Sequence, residues 1–224
     1  MLLIMLSQMT PNPTLKPARY RAWLSSASLL HEDRTMLLTF AKIALTIPVA
    51  FALAYPFLNP TVDAGMFREL KMVGPIAGIA ITAAFLVAVF FYCRDLQRSL
   101  ALVRPDSRAA SPRSVWLMFL LPYNFVEDFF IIANVAKSLR REAQHNQALQ
   151  SFNGFGLVSG FGWCSAQIVS LIPHEIGSLA GVVALLAWVI HWRFIRNANR
   201  LLSESSQANA TFKRDAPKAA RSSI

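Results

Sequence analysis

Charge is scarce in this chain. Only 15% of its 224 residues are charged, against about a quarter in an ordinary soluble domain. Acidic residues are the scarcer kind, 12 against 22 basic ones. Cysteine is nearly absent: Cys93 and Cys164 fall inside or at the end of separate apolar runs. That excludes a disulfide framework and a cysteine-based metal spacing, and both read as small buried hydrophobes. What remains is apolar, 54% of the chain, and it comes in blocks rather than at an amphipathic period. A formal charge of +10 would suit nucleic acid in a soluble protein. In a chain of apolar blocks it marks basic residues flanking membrane spans on the cytoplasmic side, and no nucleic-acid partner is expected. The expected class is all-α, a polytopic transmembrane helical protein.

Crossing a hydrocarbon core of about 30 Å takes roughly 20 apolar residues in a helix. Residues 36–58 and 72–93 meet that length, the first with one charge, Lys42, and the second with none. Lys42 lies near an end and can extend its ammonium to the headgroups, and Pro48 should kink its helix. Residues 155–173 and 176–195 form a last pair joined only by His174 and Glu175, which demands a tight antiparallel hairpin. Small residues four apart, Gly74 with Gly78, Gly156 with Gly160 and Gly177 with Gly181, would let helix backbones approach closely in lipid. They serve packing within one chain, with homo-oligomerisation through the same faces as the alternative.

The remaining long apolar stretch, 115–136, carries Pro122, Asn124, Glu127 and Asp128 in its middle. Proline disfavours helix at the residue before it, so the segment should split there and a helix should start near Asn124 or Phe125. If the segment spanned, strongly basic connections would face both sides. If it re-enters or lies in the interface, every basic cluster faces the cytoplasm and the neutral connections 59–71 and 174–175 face outward. The charge rule favours the second arrangement. It gives four spans plus one broken re-entrant or interfacial segment, with both termini cytoplasmic.

Three regions follow. Residues 1–35 form a cytoplasmic amino-terminal region whose stretch 19–34 can make an amphipathic helix on the inner leaflet, with Tyr20, Trp23, Leu24, Ala27 and Leu30 on one face. Residues 36–202 are the transmembrane helical domain. Residues 203–224, rich in serine, alanine and basic residues, read as a disordered basic tail. Met1 and Met9 both suit a start, and the apolar stretch Met1 to Leu6 has no basic n-region and is too short to read as a signal peptide.

Few residues offer chemistry. His174-Glu175 lacks the second histidine of a zinc-protease helix, since Ser178 stands there. The run Gly154 to Gly160 places its third glycine one residue late for a dinucleotide loop and follows no strand. Ser159 or Ser165 with His191 lacks the spacing of a nucleophile elbow. No catalytic residue, cofactor or metal site is expected. Asn124, Glu127 and Asp128 are the candidate ion or proton site, with Asn134 extending one polar face from Asn124 and Glu127. The alternative is that both carboxylates pair with Arg113, Lys137 or Arg140 and anchor the segment.

The run Pro112-Arg113-Ser114-Val115-Trp116-Leu117, then Leu121-Pro122-Tyr123-Asn124 and Val135-Ala136-Lys137-Ser138-Leu139, carries a resemblance. So do Gly162-Trp163-Cys164 and Trp188-Val189-Ile190-His191-Trp192-Arg193-Phe194-Ile195. Together they resemble a loose group of uncharacterised bacterial multi-pass membrane proteins, over residues 112–202. The chain departs from that pattern at Asn124, His191, Phe194 and the acidic pair. The resemblance implies a bacterial inner membrane and supplies no activity. The expected role is a non-enzymatic accessory or scaffold subunit facing anionic inner-leaflet headgroups or another membrane subunit. A small transporter or ion-pathway subunit using the acidic segment is the alternative.

Overall fold

The computed structural model describes residues 17–59 and 72–221; the predicted external connection 59–71 lies almost wholly outside them. The chain divides into two compact units, Met1–Ala44 and Leu45–Ile224. Helix α1 is Pro17–Leu58. Its first part belongs to the first unit, and the side chains of the predicted amphipathic face there lie outside the described residues.

The second unit holds the rest. Helix α2, Pro75–Leu102, opens with proline at its first turn after Gly74 at φ 82°, where a missing N–H is no loss. A 3₁₀ helix follows over Pro112–Phe119, its start capped by the Ser111 side chain, which accepts from Arg113 N–H. The chain then turns at the cis Leu121–Pro122 bond and enters α3, Asn124–Ala143. Proline thus divides the broken segment as its chemistry requires. Gly154, Phe155 and Gly156 all take positive φ and end the next connection, and two glycines bracket the one side chain forced into that region. Helix α4 is Leu157–Val169 and α5 is Glu175–Arg221.

Among the described residues, three helices are long and apolar enough to cross a bilayer, within Met36–Tyr55, Pro75–Leu102 and Glu175–Ala208. Four were expected. The segment 155–173 yields an α-helix of only 13 residues, about 20 Å long, because the positive-φ turn trims its start and Ser170 to Pro173 its end. Beyond Leu202, α5 runs on to Arg221. Alanine, glutamate, glutamine, lysine and arginine there favour helix, Leu202 is buried, and Asn146 Nδ2 donates to Ser205 Oγ at 2.8 Å.

Cross-helix contacts fix the directions. Along α2 and α5, Phe85 meets Trp188 and Tyr92 meets Trp192; farther on, Ser99 meets Asn199 and Arg98 meets Ser203. Both numbers rise together, so these helices are parallel. Helix α4 runs against α5, with Ser159 at His191 and Ser170 beside Gly181. Helix α3 runs against α4, since Phe129 meets Phe161 and Arg140 lies over the Phe155 ring.

Between α2 and α4 the chain folds back on itself. Arg104 Nε donates to Glu142 Oε1 at 3.2 Å, and Arg104 N–H to Oε2 at 3.2 Å. Ala109 N–H donates to Ser138 Oγ at 2.9 Å. Residues 104–142 are therefore a helical hairpin, its ends together at the base and Leu121–Pro122 at the tip. Its inner faces, with Ile131, Ile132, Val135 and Leu139 from α3, join Tyr92, Leu96 and Ile195 in one buried core.

Candidate functional site: the interior around Asp128

The first turns of α3 bring all three candidate residues into the interior. Asn124 is 8% exposed, Glu127 6% and Asp128 2%. They do not share one environment. Tyr123 donates its hydroxyl to Glu127, and partial burial with that carboxylate holds the phenol up at about 12. Asp128 turns the other way, toward Tyr92, Cys93 and Cys164. Burial first, then the neighbouring Glu127 charge, raises the Asp128 carboxyl well above the usual carboxylate range. Its Oδ1 and the Asn124 Oδ1 have no hydrogen-bond partner. The anchoring cations of the alternative reading are engaged elsewhere or exposed: Arg140 lies over Phe155, and Arg113 and Lys137 face outward. Asn134 is half-buried, less enclosed than Asn124 and Glu127.

Above Asp128 stands a ring of aromatics that no motif announced. Tyr92, fully buried, meets Trp163, Trp188 and Trp192 edge-on, with centroids 5.5, 5.6 and 6.0 Å away. Such pairs add about 0.5–1.5 kcal/mol each beyond their buried area. The Tyr92 hydroxyl and Trp188 Nε1 are enclosed without partners. The sequence signal was there in Trp188 and Trp192 four apart on α5, but nothing in the sequence pointed Tyr92 at them.

His191, set between Trp188 and Trp192 on α5, is 1% exposed. Its Nδ1 lies 3.0 Å from Gly156 O and 3.2 Å from Ser159 Oγ. A carbonyl only accepts, so Nδ1 carries the proton and donates to it. Ser159 Oγ also donates to Gly156 O, at 3.2 Å. The imidazole therefore offers the serine no base, and the pair is a clasp that closes α4 onto α5.

The packing glycines divide by what a methyl group would meet. At Gly156 it would strike Phe194 and His191, and at Gly160 Ile132 and His191. At Gly177 it would run into the carbonyl of Ile172, whereas at Gly181 its nearest neighbour is Ser170 Cβ at 3.7 Å. Gly74 precedes its helix, and a methyl group there would meet open space; its carbonyl accepts from Gly78 N–H at 2.9 Å, and Gly78, half-buried in α2, accepts from Thr82.

Two other features were not legible as sites. A cavity of about 680 Å³ opens between the Leu45–Tyr55 stretch of α1, the start of α3 and the end of α4, lined by Val49, Phe129, Ile168 and Leu171 among others; it is apolar apart from the Tyr55 side chain. At the far end of α2 and α5 a polar network replaces the apolar core. Trp192 Nε1 donates to Asp95 Oδ2 at 2.7 Å, Asn199 Nδ2 to Asp95 O at 2.8 Å and Ser99 Oγ to Asn199 Oδ1 at 2.6 Å. Its signal was the helical spacing of Trp192, Arg196, Asn199 and Ser203. Among the described residues no three histidines, cysteines or carboxylates gather as metal ligands.

No protein-family model matches this chain, and no curated protein and no solved structure matches it.

Proposed function

We propose that this multi-pass protein is a non-enzymatic accessory or scaffold subunit of the bacterial inner membrane, presenting one strongly basic end to the cytoplasmic leaflet. One observation carries the reading. Parallel α2 and α5, together with the closed base of the 104–142 hairpin, gather Arg94, Arg98, Arg104, Arg108, Arg140, Arg141 and the arginines of α5 at a single end. Among the described residues, the opposite end of the same helices shows only His174 and Glu175 as titratable groups. Basic residues concentrate on the cytoplasmic side of membrane proteins, so the hairpin dips in from that side and returns. The lipid-facing character of the long helices supports this placement. Only 6%, 11% and 28% of their most apolar windows are buried inside the protein.

Single cysteines at exposed His145 and His174, in a Cys93→Ala/Cys164→Ala background, test the arrangement. An impermeant thiol reagent should label position 174 in intact cells and reach 145 only after lysis. Labelling of 145 from outside, or of both from one side, overturns the proposal.

A second reading, a proton- or cation-pathway subunit using Asn124, Glu127 and Asp128, is favoured by a specific feature. A carboxyl 2% exposed lies in the interior with an unpartnered oxygen, a placement common along membrane ion paths. Purified protein in vesicles should then pass protons or monovalent cations, and Asp128→Asn should abolish the flux at normal protein level. Equal leak in both sinks that reading.

A further inference from the structure

Resting on the reading that the basic end faces the anionic inner leaflet, we propose that the cleft between α2 and α5 at that end binds the phosphate of an anionic lipid headgroup. The cleft encloses about 350 Å³ and is lined by Arg98, Arg196 and Arg200, with Ser203, Asp95 and Glu204. Its depth is set by the sequence. The apolar run of α2 ends at Cys93 and that of α5 at Ile195, and the cleft begins within a turn of both, at headgroup level.

Its net charge is positive, with three guanidiniums facing the two carboxylates of Asp95 and Glu204. Asp95 already takes the Trp192 indole N–H. Glu204 meets Arg200 only at 4.0 Å, with both side chains more than 60% exposed, a pairing worth little. Arg98 donates to the Ser203 hydroxyl at 3.2 Å rather than to a carboxylate. Arg196 makes no ion pair among the described residues. Guanidinium forks match phosphate oxygens two at a time.

A lipid, rather than a free anion, fits the surface beneath. Phe91 precedes Arg98 by seven residues and Val189 precedes Arg196 by seven, so each lies on the same helix face as its arginine. Both are exposed, by 47% each. An acyl chain lying along those faces brings its phosphate to the cleft, and basic pockets between membrane helices on the cytoplasmic side recognise such headgroups.

The test titrates phosphatidylglycerol into the full chain in a neutral detergent, reading apparent affinity from the rise in thermal midpoint, with phosphatidylcholine and inorganic phosphate as parallel arms. Phosphatidylglycerol should stabilise and the other two should not. Arg196→Gln with Arg200→Gln should weaken binding about 30-fold, as two basic residues at an anionic surface imply, and Arg196→Gln alone about 5-fold. Lys137→Gln with Arg141→Gln, an equal loss of exposed charge outside the cleft, should leave affinity near wild type. Equal weakening by both pairs would mean a diffuse field, overturning the cleft while leaving the orientation intact. Inorganic phosphate matching the lipid overturns the lipid as occupant. No preference for phosphatidylglycerol by the wild type overturns the proposal outright, and thiol labelling at 145 and 174 then judges the orientation separately.

Discussion

Replacing Gly160 with alanine would place a methyl group 2.5 Å from Ile132 Cγ2 and 3.1 and 3.2 Å from the His191 ring. Neither neighbour has room to retreat. Ile132 is 1% exposed, and His191 is held by its bond to Gly156 O at 3.0 Å. Overpacking of this kind costs about 1–3 kcal/mol, offset by up to about 1 kcal/mol from alanine's better helix propensity. The net loss should be about 1–2 kcal/mol, a fall of several degrees in thermal midpoint for a chain of this size. Gly181→Ala is the control. Its nearest neighbour is 3.7 Å away, so it should be neutral or slightly stabilising. Truncating Ile132 to alanine costs about 2–5 kcal/mol alone but removes the clashing methyl. The double variant should therefore lose less than the sum of the singles, by about 1 kcal/mol or more. Thermal midpoints in detergent read all four proteins. If Gly160→Ala melts with Gly181→Ala, or the cycle is additive, the close approach of α4 to α3 and α5 is not as described.

Asp128 gives a pH signature. Its folded carboxyl is raised by burial and by Glu127, so the folded chain holds that proton more tightly than the unfolded chain. The stability associated with the protonated form is complete below the unfolded value of about 4 and declines as pH rises toward the folded value. Asp128→Asn should match the wild type in acid and melt above it at neutral pH; parallel pH profiles would refute the assignment. At the hairpin base, Glu142→Ala leaves Arg104 without the carboxylate that receives both its backbone and side-chain N–H. A loss of about 1–3 kcal/mol is expected, with faster limited proteolysis between residues 104 and 112. Unchanged cleavage would show that the base is closed by other contacts.

The sequence carried the apolar blocks, the break at Pro122 and the start of α3 near Asn124, because each follows from local rules of length and backbone geometry. It did not carry the shortness of α4. Positive φ at Phe155 depends on its two glycine neighbours and on Arg140 packing over the ring, and the apolar run continues through that turn regardless. The interior position of His191 was hidden for a related reason. Its neighbours Trp188 and Trp192 fit a lipid interface as well as they fit a core. Only the approach of Gly156 and Gly160 decides between the two. The candidate residues Asn124, Glu127 and Asp128 were found from polarity in an apolar run, whereas Tyr92 and Arg196 had no such contrast against their own helices.

The hairpin is the step on which the architecture depends. A segment spanning from residue 115 to 136 would leave Glu142 at the opposite end of the bundle from Arg104. The two are instead joined by a hydrogen bond of 3.2 Å. Helix α4 must also start beside Phe194 and His191, at the basic end of α5, so the chain leaving α2 has to come back to the level it left. Two carboxylates in the first turns of α3 then lie partway down the hairpin rather than at its base, enclosed by α2 and α4. The favourable field at a helix N-terminus suits negative charge there, yet the neighbours of Asp128 are Tyr92, Cys93, Cys164 and the like-charged Glu127. The same fold therefore builds an arginine-rich surface at one end and a buried carboxyl inside. Thiol accessibility tests the first and the pH profile of Asp128→Asn tests the second, and neither result predetermines the other.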